Sequence, residues 1–252
     1  MKIYALEITS ECNLKCSYCP QPTMQRAKEH MPMDLYRQAL KYPFWFDIVI
    51  AHLFGEAFLH PDLNDMTKLA YDKNLSFGFS SNMRDFDLLL FQQLLASGLS
   101  WMVISYHIPE AKQWFDKLTQ LYPDFPIINS ALESKHDWSG QVDKDKKGNI
   151  KKNVQKMQPD KQTDCIFHKY NLVTISAQGD IYACCLDAEG LSSQGSLLDY
   201  TPEEFAQMDN NIWFDLCHNC PLRHSDTELI TQFEQQKLYK QQISQYHQLR
   251  LS

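Results

Sequence analysis

Short apolar runs alternate with helical periodicity along the first half of this chain. Residues 3–9 (Ile-Tyr-Ala-Leu-Glu-Ile-Thr) read as a strand. Asp34 can cap a helix over 34–42, and Ile48 to Leu53 read as a second strand. Pro61 and Asp62 open a helix over 62–73, and Leu75 to Phe79 make a third strand. Asp85 opens a helix to Ser97 that Gly98 closes. Trp101 to Ser105 is a fourth strand, 109–121 a helix, and Phe125 to Asn129 a fifth strand. Strands of this kind between helices suit burial on both faces of a parallel sheet. Five units are too few to close an eight-fold barrel. The expected fold class is α/β, an open, partial parallel β/α barrel over residues 1–142.

The polar residues fall where such folds bind ligands, at the carboxyl ends of the strands. A cysteine loop follows strand one, Gly55-Glu56 follows strand two, and Ser80-Ser81-Asn82 follows strand three. Ser105 and His107 end strand four, and Asn129-Ser130 end strand five. Beyond them, 143–164 is polar and Lys-rich, a linker or a substrate-facing loop. A second unit spans 165–225. Residues 171–176 read as a strand, 177–180 as a turn and 181–184 as its hairpin partner, and Thr201 caps a helix from Pro202. The Gln-rich stretch 226–252 carries Leu229, Ile230, Phe233, Leu238, Ile243, Tyr246 and Leu249 along one helical face.

With 252 residues, 44% of them apolar, the chain can bury a sizeable core. Its net charge of −7 argues against a general nucleic-acid binder, although the Lys-rich segment could touch the phosphates of an RNA substrate. No apolar run is long enough to span a membrane, and Glu7 stands where a signal peptide needs apolar residues, so a cytoplasmic protein is expected.

Eight cysteines in such a protein point to metal or redox chemistry rather than disulfides. Cys12, Cys16 and Cys19 are spaced C-x3-C-x2-C. Three thiolates can hold three irons of a cubane cluster and leave the fourth iron open for reaction. A zinc site or a passive cluster is the alternative, but no fourth ligand is evident nearby. The other cysteines are Cys165, Cys184, Cys185, Cys217 and Cys220. Four thiolates from this set suit either an iron–sulfur cluster or a structural zinc.

The cysteine loop with Tyr18 before its last thiol, the Gly-Glu after strand two and the partial barrel together resemble the radical S-adenosylmethionine (SAM) enzymes. By that resemblance Cys12, Cys16 and Cys19 would hold a [4Fe–4S] cluster whose open iron is chelated by SAM. Reductive cleavage of SAM would give a 5′-deoxyadenosyl radical that takes hydrogen from substrate. Tyr18 would lie beside the adenine, and Gly55-Glu56 would accept from the SAM amino group. Ser80, Ser81, Asn82 and Ser105 would contact its ribose or carboxylate. The family pattern Gly-Gly-Glu-Pro is here Phe54-Gly55-Glu56-Ala57, which keeps the glutamate and loses the proline.

Gly179, Cys184 and Cys217-His218-Asn219-Cys220 resemble the short C-terminal extension called the twitch domain, a relative of the longer SPASM domain. There Cys165, Cys184, Cys217 and Cys220 would hold an auxiliary [4Fe–4S] cluster, with Cys185 a neighbouring thiol or an alternative to Cys184. His168, His218 and His224 would be supporting or surface residues.

Size and layout look like those of the 2-deoxy-scyllo-inosamine dehydrogenases. The resemblance therefore implies oxidation of a small-molecule or peptide substrate, with reduced flavodoxin or ferredoxin as electron donor. A peptide-crosslinking or epimerising enzyme is the nearest alternative, and a non-catalytic metal-binding scaffold is the alternative of another class. Candidates for a general base are His107, Glu133, Lys135, His136 and Asp137, because they follow strands four and five.

Overall fold

The computed structural model describes residues 1–130, 141, 165–214, 216, 217 and 220. The Lys-rich stretch, the stretch 226–252 expected to form an amphipathic helix, and Glu133, Lys135, His136, Asp137, His218 and His224 lie outside the described residues. The strands are β1 (Lys2–Leu6), β2 (Ile48–Ile50), β3 (Ser76–Ser81), β4 (Leu99–Ser105), β5 (Ile127–Ser130), β6 (Leu172–Ile175) and β7 (Ile181–Tyr182). The helices are α1 (Met33–Ala39), α2 (Leu63–Asp72), α3 (Leu88–Ser97), α4 (Pro109–Leu121), α5 (Ile166–Lys169) and α6 (Pro202–Gln207).

The alternation gives the expected α/β fold. β2 to β5 form a parallel sheet in chain order, with α2, α3 and α4 as the crossovers. Among the described residues it is an open array of four strands rather than a closed barrel.

β1 is placed differently from a simple first barrel strand. Its hydrogen-bonded neighbour is β6, in parallel from Lys2↔Leu172 to Leu6↔Ile175, and β7 returns antiparallel on β6. On its other side β1 meets the segment before β2. The Ile3 amide donates to Pro43 O at 2.9 Å, and Ile3 and Phe44 form a parallel bridge. β2, only three residues long, begins after that segment has passed β1. The hairpin after Cys165 thus shares a sheet with the start of the chain. Val173, Ile175, Ile181, Leu197 and Phe205 join one apolar core with Ile3, Leu6, Val49, Phe77, Phe91 and Ile104.

Three helix starts differ from expectation, α1 and α2 by one residue and α3 by three. α1 begins at Met33 after Pro32, so Asp34 lies in its first turn and pairs with Arg37 at 2.8 Å. The Asp62 side chain makes no capping bond to α2. α3 is capped by Asp87, whose carboxylate accepts from the Leu89 and Leu90 amides, and Asp85 is left for another contact. Thr201 and Glu204 form a reciprocal capping box on α6. Gly98 ends α3 in the left-handed region (φ 105°). Among the described residues no helix is long and apolar enough to cross a membrane.

Candidate active site

The carboxyl ends of the barrel strands surround a cavity of about 290 Å³. Cys12, Cys16, Tyr18, Cys19, Gly55, Glu56, Ser80, Ser81, Asn82 and Ser105 all line it. His107 and Ser130 line it too, as does His52, which the sequence reading passed over. The signal for His52 was a lone polar residue in the apolar run Ile-Val-Ile-Ala-His-Leu.

The loops after β1 and β2 cross at Gly55. A Cβ there would stand 2.1 Å from Thr9 O and 2.9 Å from Glu11 O, so only glycine permits the approach. The crossing is locked by the Glu56 amide donating to Glu11 O at 2.8 Å. It carries the Glu56 carboxylate into the interior, 3% exposed. Oε2 accepts from the Asn82 amide at 2.7 Å, and Oε1 accepts from the Phe58 amide at 3.3 Å. Burial lifts the carboxyl to about 7, against the opposing pull of these amides and of the Ser81 hydroxyl. A carboxylate has four acceptor positions, so capacity for a further donor remains.

The Asn82 carboxamide is aimed at the cysteine loop. Nδ2 donates to Asn13 Oδ1 at 2.8 Å and lies 3.8 Å from Cys12 Sγ, while Oδ1 accepts from the Arg84 amide at 2.9 Å. Asn13 Nδ2 in turn donates to Asp85 at 2.8 Å, the contact that Asp85 makes in place of a helix cap. Across β3 and β4 the Ser80 and Ser105 hydroxyls are 2.8 Å apart. The Ser80 amide donates to His52 Nδ1 at 3.0 Å. That fixes the ring proton on Nε2, and burial holds the His52 pKa down at about 4. The Tyr18 hydroxyl is hydrogen-bonded to His107 Nδ1, which ties the cysteine loop to the end of β4.

Burial pushes the Cys12 thiol up, and it pushes Cys19 up to about 12, with Cys16 adding to both. Such a group of thiols becomes a set of thiolates only when a bound cation supplies the opposing charge.

The second set of thiols also converges. Cys165, Cys184, Cys217 and Cys220, drawn from three separated stretches of chain, line one smaller cavity with Phe167, Trp213, Phe214 and Leu216. Burial raises the Cys184 thiol well above its ordinary value, and raises Cys185 to about 12. Cys185 is not among the cavity-lining residues, although it senses Cys220 and Cys165. His168 lines the cavity as well, with Nε2 3.0 Å from Ile212 O.

The two regions are tied by an ion pair the sequence did not disclose. Arg26, just past the cysteine loop, bonds the fully buried Glu7 at 2.7 Å, and its Nε donates to Ala188 O at 2.6 Å. The Glu189 carboxylate accepts from the Gln25 and Arg26 amides at 3.0 and 3.2 Å.

Residues 6–124 match the model of the Radical SAM superfamily. Over 86 residues the chain is 33% identical to the tungsten-containing aldehyde ferredoxin oxidoreductase cofactor-modifying protein of Pyrococcus furiosus. That match takes in 32% of this chain and only 24% of the relative's length. Among solved structures the fold is similar to BtrN in complex with AdoMet and 2-DOIA, with a TM-score of 0.65 at 15% identity over 88% of this chain and 87% of that one. BtrN in an open conformation gives a TM-score of 0.56 at 14% identity, over 91% and 90% of the two chains. Residues 6–124, just under half of this chain, are thus similar to the Radical SAM superfamily, and the chain shares its fold with the BtrN structures.

Proposed function

We propose that this chain oxidises a small-molecule or peptide substrate, using one [4Fe–4S] cluster at Cys12, Cys16 and Cys19 and an auxiliary one at Cys165, Cys184, Cys217 and Cys220. With the first cluster and SAM bound, reductive cleavage supplies a 5′-deoxyadenosyl radical that takes a hydrogen atom from substrate. Reduced flavodoxin or ferredoxin is the expected source of the electron.

The residues of the larger cavity fit these groups. Three soft thiols stand together here, and burial and the neighbouring Cys16 raise Cys12 and Cys19, a set that suits iron. Glu56 is a buried carboxylate with acceptor capacity to spare, a match for an ammonium group. Gly55 gives the backbone its close approach, and the Ser80–Ser105 hydroxyl pair offers neutral hydrogen bonds beside it. Tyr18, held by His107, walls the cavity on the side of the cysteine loop. His52 presents a fixed Nε2–H donor from the loop just past β2, and among the described residues His107 is the general-base candidate.

The observation that carries the oxidation reading is the convergence of four thiols, from three separated stretches of chain, on one apolar cavity. Four thiolates would saturate a cluster and leave no open iron, which suits an electron acceptor rather than a second site of cleavage.

Anaerobic reconstitution tests the reading. About eight irons per chain are expected, against about four with Cys184→Ala and Cys217→Ala together. Reduction in the presence of SAM is expected to release 5′-deoxyadenosine, and Cys12→Ala to abolish it. Intact clusters with no 5′-deoxyadenosine would leave a metal-binding scaffold. Four irons and one zinc would remove the auxiliary cluster. On a candidate substrate, mass spectrometry separates loss of two hydrogens from the mass-neutral change of an epimerase.

A further inference from the structure

We propose that the Asn82 carboxamide donates a hydrogen bond to the Cys12 sulfur and thereby raises the reduction potential of the cluster bound there. This rests on reading Cys12, Cys16 and Cys19 as the cluster's ligands.

The orientation of the carboxamide follows from its partners. The Arg84 backbone amide, 2.9 Å from Oδ1, can only donate, so the oxygen must face it. Turning the group over would set N–H against N–H. The NH2 end therefore faces the cysteine loop with two protons. Asn13 Oδ1 takes one at 2.8 Å, and Cys12 Sγ, at 3.8 Å, is the acceptor on the other side. A sulfur acceptor is large and soft, so its hydrogen bonds are longer than those to oxygen and individually weaker.

The residue is also held at its backbone. Asn82 is 5% exposed, and its amide donates to Glu56 Oε2 at 2.7 Å. Glu56 is fixed in turn by its own amide on Glu11 O at 2.8 Å. The contacts run from Glu56 through Asn82 to Cys12, and from Asn82 through Asn13 to Asp85. Such a bracketed donor keeps its place when the charge on the sulfur changes.

Adding an electron to an iron–sulfur cluster places more negative charge on its sulfurs. A fixed N–H dipole aimed at one of them stabilises the reduced form more than the oxidised form, and the potential rises. Removing the donor lowers it. A residue that merely fastened the loop would affect how much cluster assembles, but would leave the potential of the assembled cluster alone.

The test is an EPR-monitored redox titration of the reconstituted full chain without SAM. The signal that SAM addition subsequently perturbs identifies the cluster at Cys12. Asn82→Leu keeps most of the volume and removes the donor; Asn82→Asp keeps the acceptor for Arg84 and removes the donor. Both variants are expected to move that cluster's midpoint to lower potential and to leave the other cluster's midpoint in place. In the wild-type chain carrying 15N-labelled asparagine side chains, pulsed EPR is expected to show a weak nitrogen coupling that Asn82→Asp eliminates. An unchanged midpoint in either loaded variant, or no such coupling in the wild type, overturns the inference. Absence of any SAM-perturbed signal in the wild type would instead overturn the assignment of the cluster.

Discussion

Glu56 offers a quantitative test of how the cavity is built. Burial lifts its carboxyl from 4.5 to about 7, and its hydrogen bonds offset only part of that rise. In the unfolded chain the same group gives up its proton near its ordinary value. Between those two values the folded protein holds a proton that the unfolded chain has released. The unfolded state then binds fewer protons, so stability falls as pH rises through this window. Each pKa unit is worth about 1.4 kcal/mol, so the loss from this one group comes to about 3 kcal/mol once the pH is above 7. Glu56→Gln removes the titration. The amide also fits less well against the Asn82 and Phe58 amides, which adds an offset independent of pH.

The assay is urea unfolding of the iron-free protein and its Glu56→Gln variant at matched ionic strength from pH 5 to 8. The Cys12 thiol, which Glu56 helps to raise, stays protonated over this range in both chains, so the difference between them isolates residue 56. That difference is expected to swing by up to about 3 kcal/mol in favour of the variant as pH rises. A difference that stays flat across the range would refute the reasoning. In the reconstituted protein the proton also competes with any ammonium donor. SAM affinity is therefore expected to rise from pH 6 to 8 in the wild type and to lose that dependence in the variant.

Other substitutions probe the frame around the cavity. Arg26→Met leaves the Glu7 carboxylate buried without its cation, a change expected to cost about 3–5 kcal/mol in urea unfolding. The combination of Glu7→Gln with Arg26→Met is expected to cost less than the sum of the single changes; strict additivity would deny the coupling. Gly55→Ala drives a methyl into Thr9 O, where backbone has little room to yield, and is expected to destabilise by about 1–3 kcal/mol in thermal unfolding. An unchanged melting temperature would mean that the two loops do not cross as described. Cys184→Ser is expected to lose about four irons on reconstitution while Cys185→Ser keeps them. The reverse result would assign the ligand to Cys185.

The features legible in the sequence were those that local order fixes. Strand–helix alternation places a loop at each strand's carboxyl end, so residues such as Cys12, Glu56, Ser80 and Ser105 could be assigned to one face before any coordinates. The spacing around Gly179 and Cys184 likewise follows from a single hairpin. What stayed hidden depends on contacts between distant segments. Asp85 and Asp87 are equivalent as helix caps in the sequence, and only the approach of Asn13, 72 residues away, claims Asp85. Arg26 carries no motif, and its role exists because Glu7 is buried beneath it and Ala188 arrives beside it.

The pairing of β1 with β6 joins segments some 170 residues apart, and it fixes where the two thiol sets stand. Because the strands are parallel, the start of β6 lies beside the amino end of β1, at Lys2↔Leu172. The hairpin then returns antiparallel, with Thr174 opposite Tyr182, and brings the chain at Cys184 back to that same end. The Thr174 hydroxyl donates to Cys184 O at 3.2 Å and holds the strand exit there. Cys12 follows the opposite, carboxyl end of β1. The stretches bearing Cys12 and Cys184 are thus offset along the strand by its length, roughly 13 Å for five residues at about 3.3 Å per step. Since β1 is hydrogen-bonded directly to β6, slippage between the two would have to break that ladder and exchange Val173 and Ile175 with Leu172 and Thr174 between two differently packed buried faces. Arg26, bound to Glu7 just past β1 and to Ala188 just past the Cys184 segment, closes the same frame from the other side. Under the proposed two-cluster reading, a fixed offset of this kind would set the separation of the two centres by the sheet and not by the loops that carry the thiols.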